Sequence, residues 1–222
     1  MPAVLLLGIL TIVPTIYLYV LSLTNYELAS SGFDFVWLEN YIRLFSGGDA
    51  EFWYSLGISV LYMLITTFVE LMLGYYVATL IDREFKLKPL VFACLIIPVA
   101  ITPVISGQIW KLILNSEYGV LNYLLQTFFG TKVVWLSAEN AFLSVLLVDV
   151  WQYTPFVALI IYAGLRSLPH EPYEAAMVDG ANRWQLFRTI TLPLLKPVIL
   201  LAVIFRSMDA LRIFDIPFSL TQ

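Results

Sequence analysis

The sequence predicts an all-α membrane protein, a bundle of helices that crosses the bilayer several times. Of its 222 residues, 60% are hydrophobic and 13% are charged, whereas about a quarter of the residues of a soluble domain are charged. Several charge-free stretches reach the roughly 20 apolar residues that a helix needs to cross the hydrocarbon core. A net charge of −4 argues against a nucleic-acid partner, and the single cysteine argues against a disulfide framework or a cysteine metal site.

The first predicted span covers residues 2–24, because the chain carries no charge before Glu27. A cleaved signal peptide is the alternative, favoured by the small residues of Leu28-Ala29-Ser30 but opposed by the missing basic region and the long apolar stretch. The start at Met1-Pro2 leads us to expect a further cytoplasmic segment ahead of this span. Residues 27–51 contain five acidic residues and one arginine, which predicts an external loop.

The second and third predicted spans cover residues 53–81 and 89–111. Glu70 is the only charged residue of the second span. The third span has no charge before Lys111 but contains Pro98 and Pro103, which predict a kink or a broken helix.

The fourth and fifth predicted spans cover residues 140–165 and 192–217. The mixed polarity of residues 111–139 predicts an interfacial helix and loop on the outer side. The fourth span contains Asp149, and the fifth span carries four charged residues, which are Arg206, Asp209, Arg212 and Asp215.

These charged groups are costly inside a bilayer, at about 2.5–3.5 kcal/mol each, so they normally pair with one another or line a polar cavity. The four in the fifth span are three residues apart and form a spiral ribbon along the helix. Two interpretations stay open, a structural ladder of alternating ion pairs and a polar path for a solute. Asp149 is at a depth comparable to Arg206, so an ion pair of Asp149 with Arg206 or Arg212 is within reach.

The orientation follows from the lysines and arginines of the connections. Residues 82–88 and 166–196 contain seven of them, whereas residues 27–51 and 115–139 contain two. This asymmetry predicts that residues 166–196 lie in the cytoplasm and that the acidic loop lies outside.

A polar stretch, EAAMVDGANRWQLFRTITLP, runs from Glu174 to Pro193. Its first residues have high helix propensity, and Gly180 is a natural helix stop. Pro193 and Pro197 mark the entry to the next apolar helix, since proline is tolerated best in a first turn or at a kink. The alternative to a functional segment is an ordinary polar loop that contains a short amphipathic helix.

The spacing of this stretch, with E-A-A followed by Gly180 and then by Ile190-Thr191-Leu192-Pro193, resembles the EAA loop of the membrane subunits of ABC importers. The neighbouring Leu168-Pro169, Tyr173 and Leu194-Leu195-Lys196-Pro197 are similar to the carbohydrate-uptake branch, the maltose-type permeases. The resemblance covers nearly the whole chain, and the EAA stretch is its specific part.

The resemblance implies one permease domain over residues 1–222, with five of the six core helices of a type I ABC importer permease. It also implies that residues 166–196, here called the coupling segment, contact an ATPase subunit. The residues expected to make that contact are Glu174, Ala175, Ala176, Asp179 and Gly180. The implied partners are an ATPase dimer, a second homologous permease, an extracytoplasmic sugar-binding protein and the lipid of a bacterial or archaeal cytoplasmic membrane.

The same resemblance implies a sugar as cargo, such as trehalose, maltose or another α-glucoside, and a substrate path through the fourth and fifth spans. The residues expected on this path are Asp149, Tyr153, Arg206, Asp209 and Arg212, with Ala210, Ile213, Val99 and Pro103 as further positions. Arginine, aspartate and tyrosine suit a polyhydroxylated solute because they offer donors, acceptors and a ring for stacking.

No phosphate-binding G-x-x-x-x-G-K-[ST] sequence occurs, so ATP hydrolysis is expected on a separate subunit and the chain is not expected to be an enzyme. No H-E-x-x-H, C-x-x-C or G-x-S-x-G sequence occurs either, and we expect no metal or cofactor. Two rivals remain, an ion-coupled secondary transporter that uses Asp149 and the charged ribbon, and a polytopic membrane enzyme with carboxylates near the interface.

Overall fold

The all-α prediction is confirmed by a computed structural model, which describes residues 2–27 and 32–222. The helices are α1 Pro2–Ser22, α2 Glu39–Phe45, α3 Ala50–Ile81, α4 Lys88–Ala100, α5 Pro103–Ile113, α6 Val120–Phe129, α7 Ala141–Arg166, α8 Glu171–Val178, α9 Arg183–Leu186, α10 Leu192–Leu211 and α11 Asp215–Thr221, with a π-helical turn at Phe187–Thr191 between α9 and α10. Within these described residues, four helical segments are long and apolar enough to cross a membrane, and a fifth span results if α4 and α5 count as one. The Leu28-Ala29-Ser30 stretch lies outside the described residues.

The chain divides into two compact units, Met1–Ile58 and Ser59–Gln222. In the first unit, α1 has no buried side chain, as expected of a helix that faces lipid. An antiparallel bridge joins Thr24 and Phe35 in the connection that follows α1. The amide of Asn40 donates to the carbonyl oxygens of Ser22 and Thr24 over 3.0 and 2.8 Å, so it ties α2 to the end of α1.

Helix α7 is the centre of the second unit, where it contacts α4, α5, α10 and α11. Its neighbours approach closely because glycines face the crossings. A Cβ atom on Gly74 of α3 would lie 2.8 Å from Cγ1 of Val157, and one on Gly164 would lie 2.8 Å from Cγ1 of Val198. Small residues at such crossings are the usual way for membrane helices to gain packing contacts.

The third predicted span is broken, as Pro98 and Pro103 indicated. Helix α4 ends at Ala100, α5 begins at Pro103, and the two helix axes meet at 101°. The side-chain amide of Gln152 on α7 donates to the carbonyl oxygen of Ile101 over 2.9 Å. This bond satisfies a backbone acceptor that the break removes from the helical pattern, which is the condition for a broken helix at membrane depth.

The fifth predicted span, residues 192–217, contains one helix and part of another. Helix α10 ends at Leu211, residues 212–214 form a short break, and α11 returns to pack against α5. That packing is close, because a Cβ atom on Gly107 would overlap the side chain of Ser219. The helical path also begins before residue 192, since α9 and the π-helical turn lead directly into α10.

Candidate functional site

Three charged side chains from three helices meet inside the second unit. Arg206 on α10 donates through Nε and Nη2 to the two carboxylate oxygens of Glu70 on α3, and the Nη2 bond measures 2.8 Å. The same Nη2 donates to Oδ2 of Asp149 on α7 over 2.7 Å. Arg206, Glu70 and Asp149 are each at most 1% exposed. We call these three residues the triad.

The triad satisfies the requirement that charges at membrane depth be paired. Arg206 suits this place because its planar guanidinium can bind one carboxylate with two parallel hydrogen bonds and still reach a second carboxylate. One face of the guanidinium lies 4.3 Å from the ring centre of Tyr153, within the range of a cation–π interaction. The triad therefore joins α3, α7 and α10, and it brings two carboxyl groups to one guanidinium group.

A polar cavity of about 340 Å³ lies over the triad. All five predicted substrate-path residues line it, as do Pro103 and Ile213. The complete lining is Pro103, Asp149, Tyr153, Arg206, Asp209, Arg212, Ile213, Phe214, Asp215 and Ile216. Of the further positions named from the resemblance, Ala210 is buried, and neither it nor Val99 contributes to the lining.

The charged ribbon of the fifth span does not form a continuous ladder. Arg206 bonds to other helices, whereas Arg212 donates to Oδ1 of Asp209 over 3.0 Å within its own helix end. Asp215 lies beyond the break, in the first turn of α11. The ladder fails because α10 ends at Leu211, so the regular rotation between successive charges stops there.

Glu70 is the site residue for which the sequence named no partner. Its signal was present, because it is the only charge in its span and such a group needs a counter-ion. The partner lies 136 residues away, and no local pattern indicates which of several arginines is chosen.

The coupling segment contains a short helix whose ends are defined by its own residues. Helix α8 stops at Gly180, which has φ +80°, a conformation that favours glycine. The N–H of Gly180 donates to the carbonyl oxygen of Met177 and that of Ala181 to the carbonyl oxygen of Ala176, the two hydrogen bonds of a Schellman motif. Gly180 is therefore the predicted helix stop.

The predicted contact residues of the coupling segment stand at its surface. Glu174, Ala175, Asp179 and Gly180 are exposed and Ala176 is partly exposed. Large apolar side chains beside them are exposed as well, with Val178 at 87% and Trp184 at 65%. Apolar surface of this kind on a short helix is typical of a site that a partner covers.

Side-chain contacts tie the coupling segment to the helix bundle, among them the ion pair of Arg166 with Asp82 at 3.7 Å. The hydroxyl of Tyr173 on α8 donates to Oγ1 of Thr191 over 2.9 Å, and the ring of Phe187 lies 5.5 Å from that of Tyr75 on α3. These contacts join α8 to the residue before α10 and the π-helical turn to α3, and α3 and α10 both carry residues of the triad.

The described residues contain no group of three or more histidine, cysteine, aspartate or glutamate side chains arranged to hold a metal ion. The single histidine, His170, precedes α8 and its side chain makes no capping hydrogen bond. The side chains that line the polar cavity offer hydrogen bonds and ion pairs.

Relatives with assigned names are transport proteins. The chain is 40% identical over 188 residues to the trehalose/maltose transport system permease protein MalF of Thermococcus litoralis, an alignment that covers 84% of the chain and 63% of that relative. It is 37% identical to the sulfoquinovosyl glycerol transport system permease protein SmoG of Agrobacterium fabrum, over 99% of the chain and 71% of the relative. It is 32% identical to the trehalose transport system permease protein SugA of Mycobacterium tuberculosis, over 99% of the chain and 70% of that relative.

The fold is similar to that of a bacterial ABC transporter involved in the import of the acidic polysaccharide alginate. The TM-score is 0.77 at 20% sequence identity, over 100% of this chain and 78% of the other. The same transporter in complex with an alginate pentasaccharide-bound periplasmic protein gives a TM-score of 0.76, over 99% and 77%. At this identity the likeness establishes the fold.

The family model of the binding-protein-dependent transport system inner membrane component matches residues 70–221. This range begins at Glu70 and includes the rest of the triad, the polar cavity and the coupling segment. The resemblance found in the EAA stretch is thereby confirmed. The chain belongs to the family of inner membrane components of binding-protein-dependent transport systems.

Proposed function

We propose that the chain is the permease subunit of an ABC importer that carries a sugar across the cytoplasmic membrane. The observation that carries the proposal is a cavity lined by five ionisable side chains inside a bundle of lipid-compatible helices. Such groups are retained in a membrane when they pair or when they line the path of a polar solute. Here Asp149 pairs with Arg206 and Asp209 with Arg212, and all four line the cavity.

The cavity suits a polyhydroxylated solute. Asp209 and Arg212 are exposed side chains that offer an acceptor and donors to hydroxyl groups, while Tyr153 supplies an aromatic ring. The sugars named in the relatives, trehalose and maltose, supply the acceptor and donor groups that this lining matches.

The exposed apolar side chains of the coupling segment suit a groove on an ATPase subunit. Glu174, Ala175, Ala176, Asp179 and Gly180 would form the contact, because small residues let the helix lie deep in a groove and Gly180 allows the turn after it. Binding and hydrolysis of ATP by two such subunits would move α8, and through Tyr173 and Phe187 the bundle helices would follow. A change of this kind is a rigid-body rearrangement of helical units.

The proposed assembly has three further kinds of component besides lipid. The importer would contain a second, homologous permease, two ATPase subunits on the cytoplasmic side and a sugar-binding protein on the outer side. The family itself is described as binding-protein-dependent. Within this assembly the chain is not the enzyme, since its relatives are permease subunits.

The test is uptake by proteoliposomes that contain the full assembly. The ATPase subunits face the lumen of the vesicles, and the sugar-binding protein is added outside. We expect labelled trehalose to enter only when the lumen contains ATP and the sugar-binding protein is present. Collapse of the proton gradient at constant ATP should leave the rate unchanged. Uptake that follows the proton gradient instead would support the secondary transporter, which has no support among the relatives.

A further inference from the structure

The lining of the polar cavity contains more carboxyl groups than cationic groups. Three of its lining residues are carboxylates, Asp149, Asp209 and Asp215, and two are guanidinium groups, Arg206 and Arg212. No lysine or histidine belongs to the lining. Glu70 lies directly behind Arg206, so that four carboxylates surround two cations.

Both cations are already neutralised by carboxylates of this chain. Arg206 is bound by Glu70 on one side and by Asp149 on the other, with side chains at most 2% exposed. Arg212 is paired with Asp209 over 3.0 Å. Asp215 forms no salt bridge with any residue that the structure describes, so the one uncommitted charge of the lining is negative.

An anionic solute would therefore lose water without gaining a free cation. An anion that displaced Asp209 from Arg212 would leave that carboxylate unpaired beside it, and Arg206 cannot turn away from Glu70 without burying an unpaired charge. A neutral sugar meets no such penalty, because its hydroxyl groups can donate to the carboxylates and accept from the guanidinium groups without changing the charge balance.

We infer that this cavity selects uncharged sugars over anionic ones, and that Glu70 sets this selection by neutralising Arg206 from behind. The inference rests on the proposed function. Family membership does not decide the question, because a transporter of the same fold is involved in the import of an acidic polysaccharide. Glu70 is a positioning residue in this account: it holds the guanidinium and never needs to touch the solute.

The test compares trehalose with trehalose 6-phosphate, a neutral and an anionic probe with the same sugar rings. Binding is measured by saturation-transfer NMR on the assembled transporter in lipid nanodiscs, with the sugar-binding protein omitted so that the permeases alone are probed. We expect trehalose to bind at least tenfold more tightly than its phosphate to the unmodified assembly.

Two variants of the chain then change the charge. Asp215→Asn, at an exposed position of the lining outside the triad, should raise the affinity for the phosphate relative to that for trehalose about threefold, and Glu70→Gln should raise this ratio about tenfold. Glu139→Gln removes an exposed carboxylate that does not line the cavity and should change neither constant. Because Asp215 supports no buried contact of the triad, its result holds even if Glu70→Gln fails to fold.

The outcomes separate the two proposals. Equal binding of the two probes to the unmodified assembly, or no effect of Asp215→Asn on the phosphate, overturns the charge selection while sugar transport stands. Absence of binding of either probe, together with absence of uptake in proteoliposomes, overturns the proposed function and the selection with it.

Discussion

The triad and the coupling segment place their functional side chains in opposite surroundings. At the triad, three charged side chains are buried and find their partners within the chain, on α3, α7 and α10. At the coupling segment, Val178 and Trp184 are exposed and have no cover among the described residues that would bury them. The side chains of the triad find all their partners when the chain folds, whereas the coupling segment keeps apolar side chains exposed on a surface that another molecule can bind.

This difference separates what each region contributes. Removal of one member of a buried ion network leaves an uncompensated charge and destabilises the fold strongly. Change of an exposed helix turn costs little stability, but it alters the surface that a partner must fit. Stability and energy coupling should therefore respond to different substitutions, and the four predictions below compare them on that basis.

The largest effect is expected from Arg206→Ala. The change leaves Glu70 and Asp149 buried without a cation, so we expect a loss of about 3–5 kcal/mol in the free energy of unfolding. Chemical unfolding of the full chain in detergent, followed by tryptophan fluorescence, measures this loss. Arg183→Ala, an exposed arginine of the coupling segment, is the matched control and should unfold as the unmodified chain does. Equal loss in both variants would remove the distinction between the two regions.

The second effect concerns the helix crossing that brings Glu70 near Asp149. In Gly74→Ala the added Cβ would lie 2.8 Å from Cγ1 of Val157 and 3.1 Å from the backbone nitrogen of Ala158, so α3 and α7 must separate. We expect a loss of about 1–3 kcal/mol. Gly57→Ala on the same helix meets nothing within 4 Å and should be neutral or gain up to about 1 kcal/mol from helix propensity. A neutral Gly74→Ala would contradict the close crossing.

The sequence predicted the coupling segment more completely than the triad, and the reason is the range of the interactions. The end of α8 depends only on local contacts, those of Gly180 and Ala181 with the carbonyl groups three and four residues before Gly180. The sequence could suggest the ion pair of Asp149 with Arg206, because counting residues along the fourth and fifth spans places both at a similar depth in the membrane. The sequence could not identify the partner of Glu70. Which residue Glu70 meets depends on how α3 is rotated about its own axis, and the packing at Gly74 and its neighbours determines that rotation.

Breaks between helices were predicted where the sequence contains proline, and the break without a proline beside it was missed. Pro98 and Pro103 indicated the break between α4 and α5. The end of α10 at Leu211 was not predicted, because the residues that follow directly, Arg212, Ile213 and Phe214, include no glycine or proline. That end is set by α11, whose packing against α5 at Gly107 requires the chain to turn back.

A smaller effect on stability, with a large effect on coupling, is expected from Gly180→Ala. The alanine must adopt φ +80°, at a cost of about 1 kcal/mol, and relaxation of this strain moves the end of α8. We expect ATP hydrolysis stimulated by the sugar-loaded binding protein to fall severalfold in the reconstituted assembly, with sugar capture unchanged.

Gly130→Ala is the matched control for that change. Gly130 also has a positive φ, +67°, follows α6, and meets nothing within 4 Å, so it carries similar strain outside the coupling segment. Equal loss of stimulated hydrolysis in both variants would show that strain alone, and not the position of α8, lowers the rate.

The smallest effect is expected from Arg212→Ala. Arg212 lies six residues after Arg206 and also pairs with an aspartate, but its side chain is 74% exposed and that of Asp209 is 45% exposed. Exposed pairs of this kind contribute at most about 1 kcal/mol, because water screens the charges and both side chains lose freedom on pairing. The same unfolding experiment should therefore place Arg212→Ala within about 1 kcal/mol of the unmodified chain. A loss as large as that of Arg206→Ala would mean that the ion pair itself, and not its burial, stabilises the fold, and the contrast between buried and exposed regions would fail at this point.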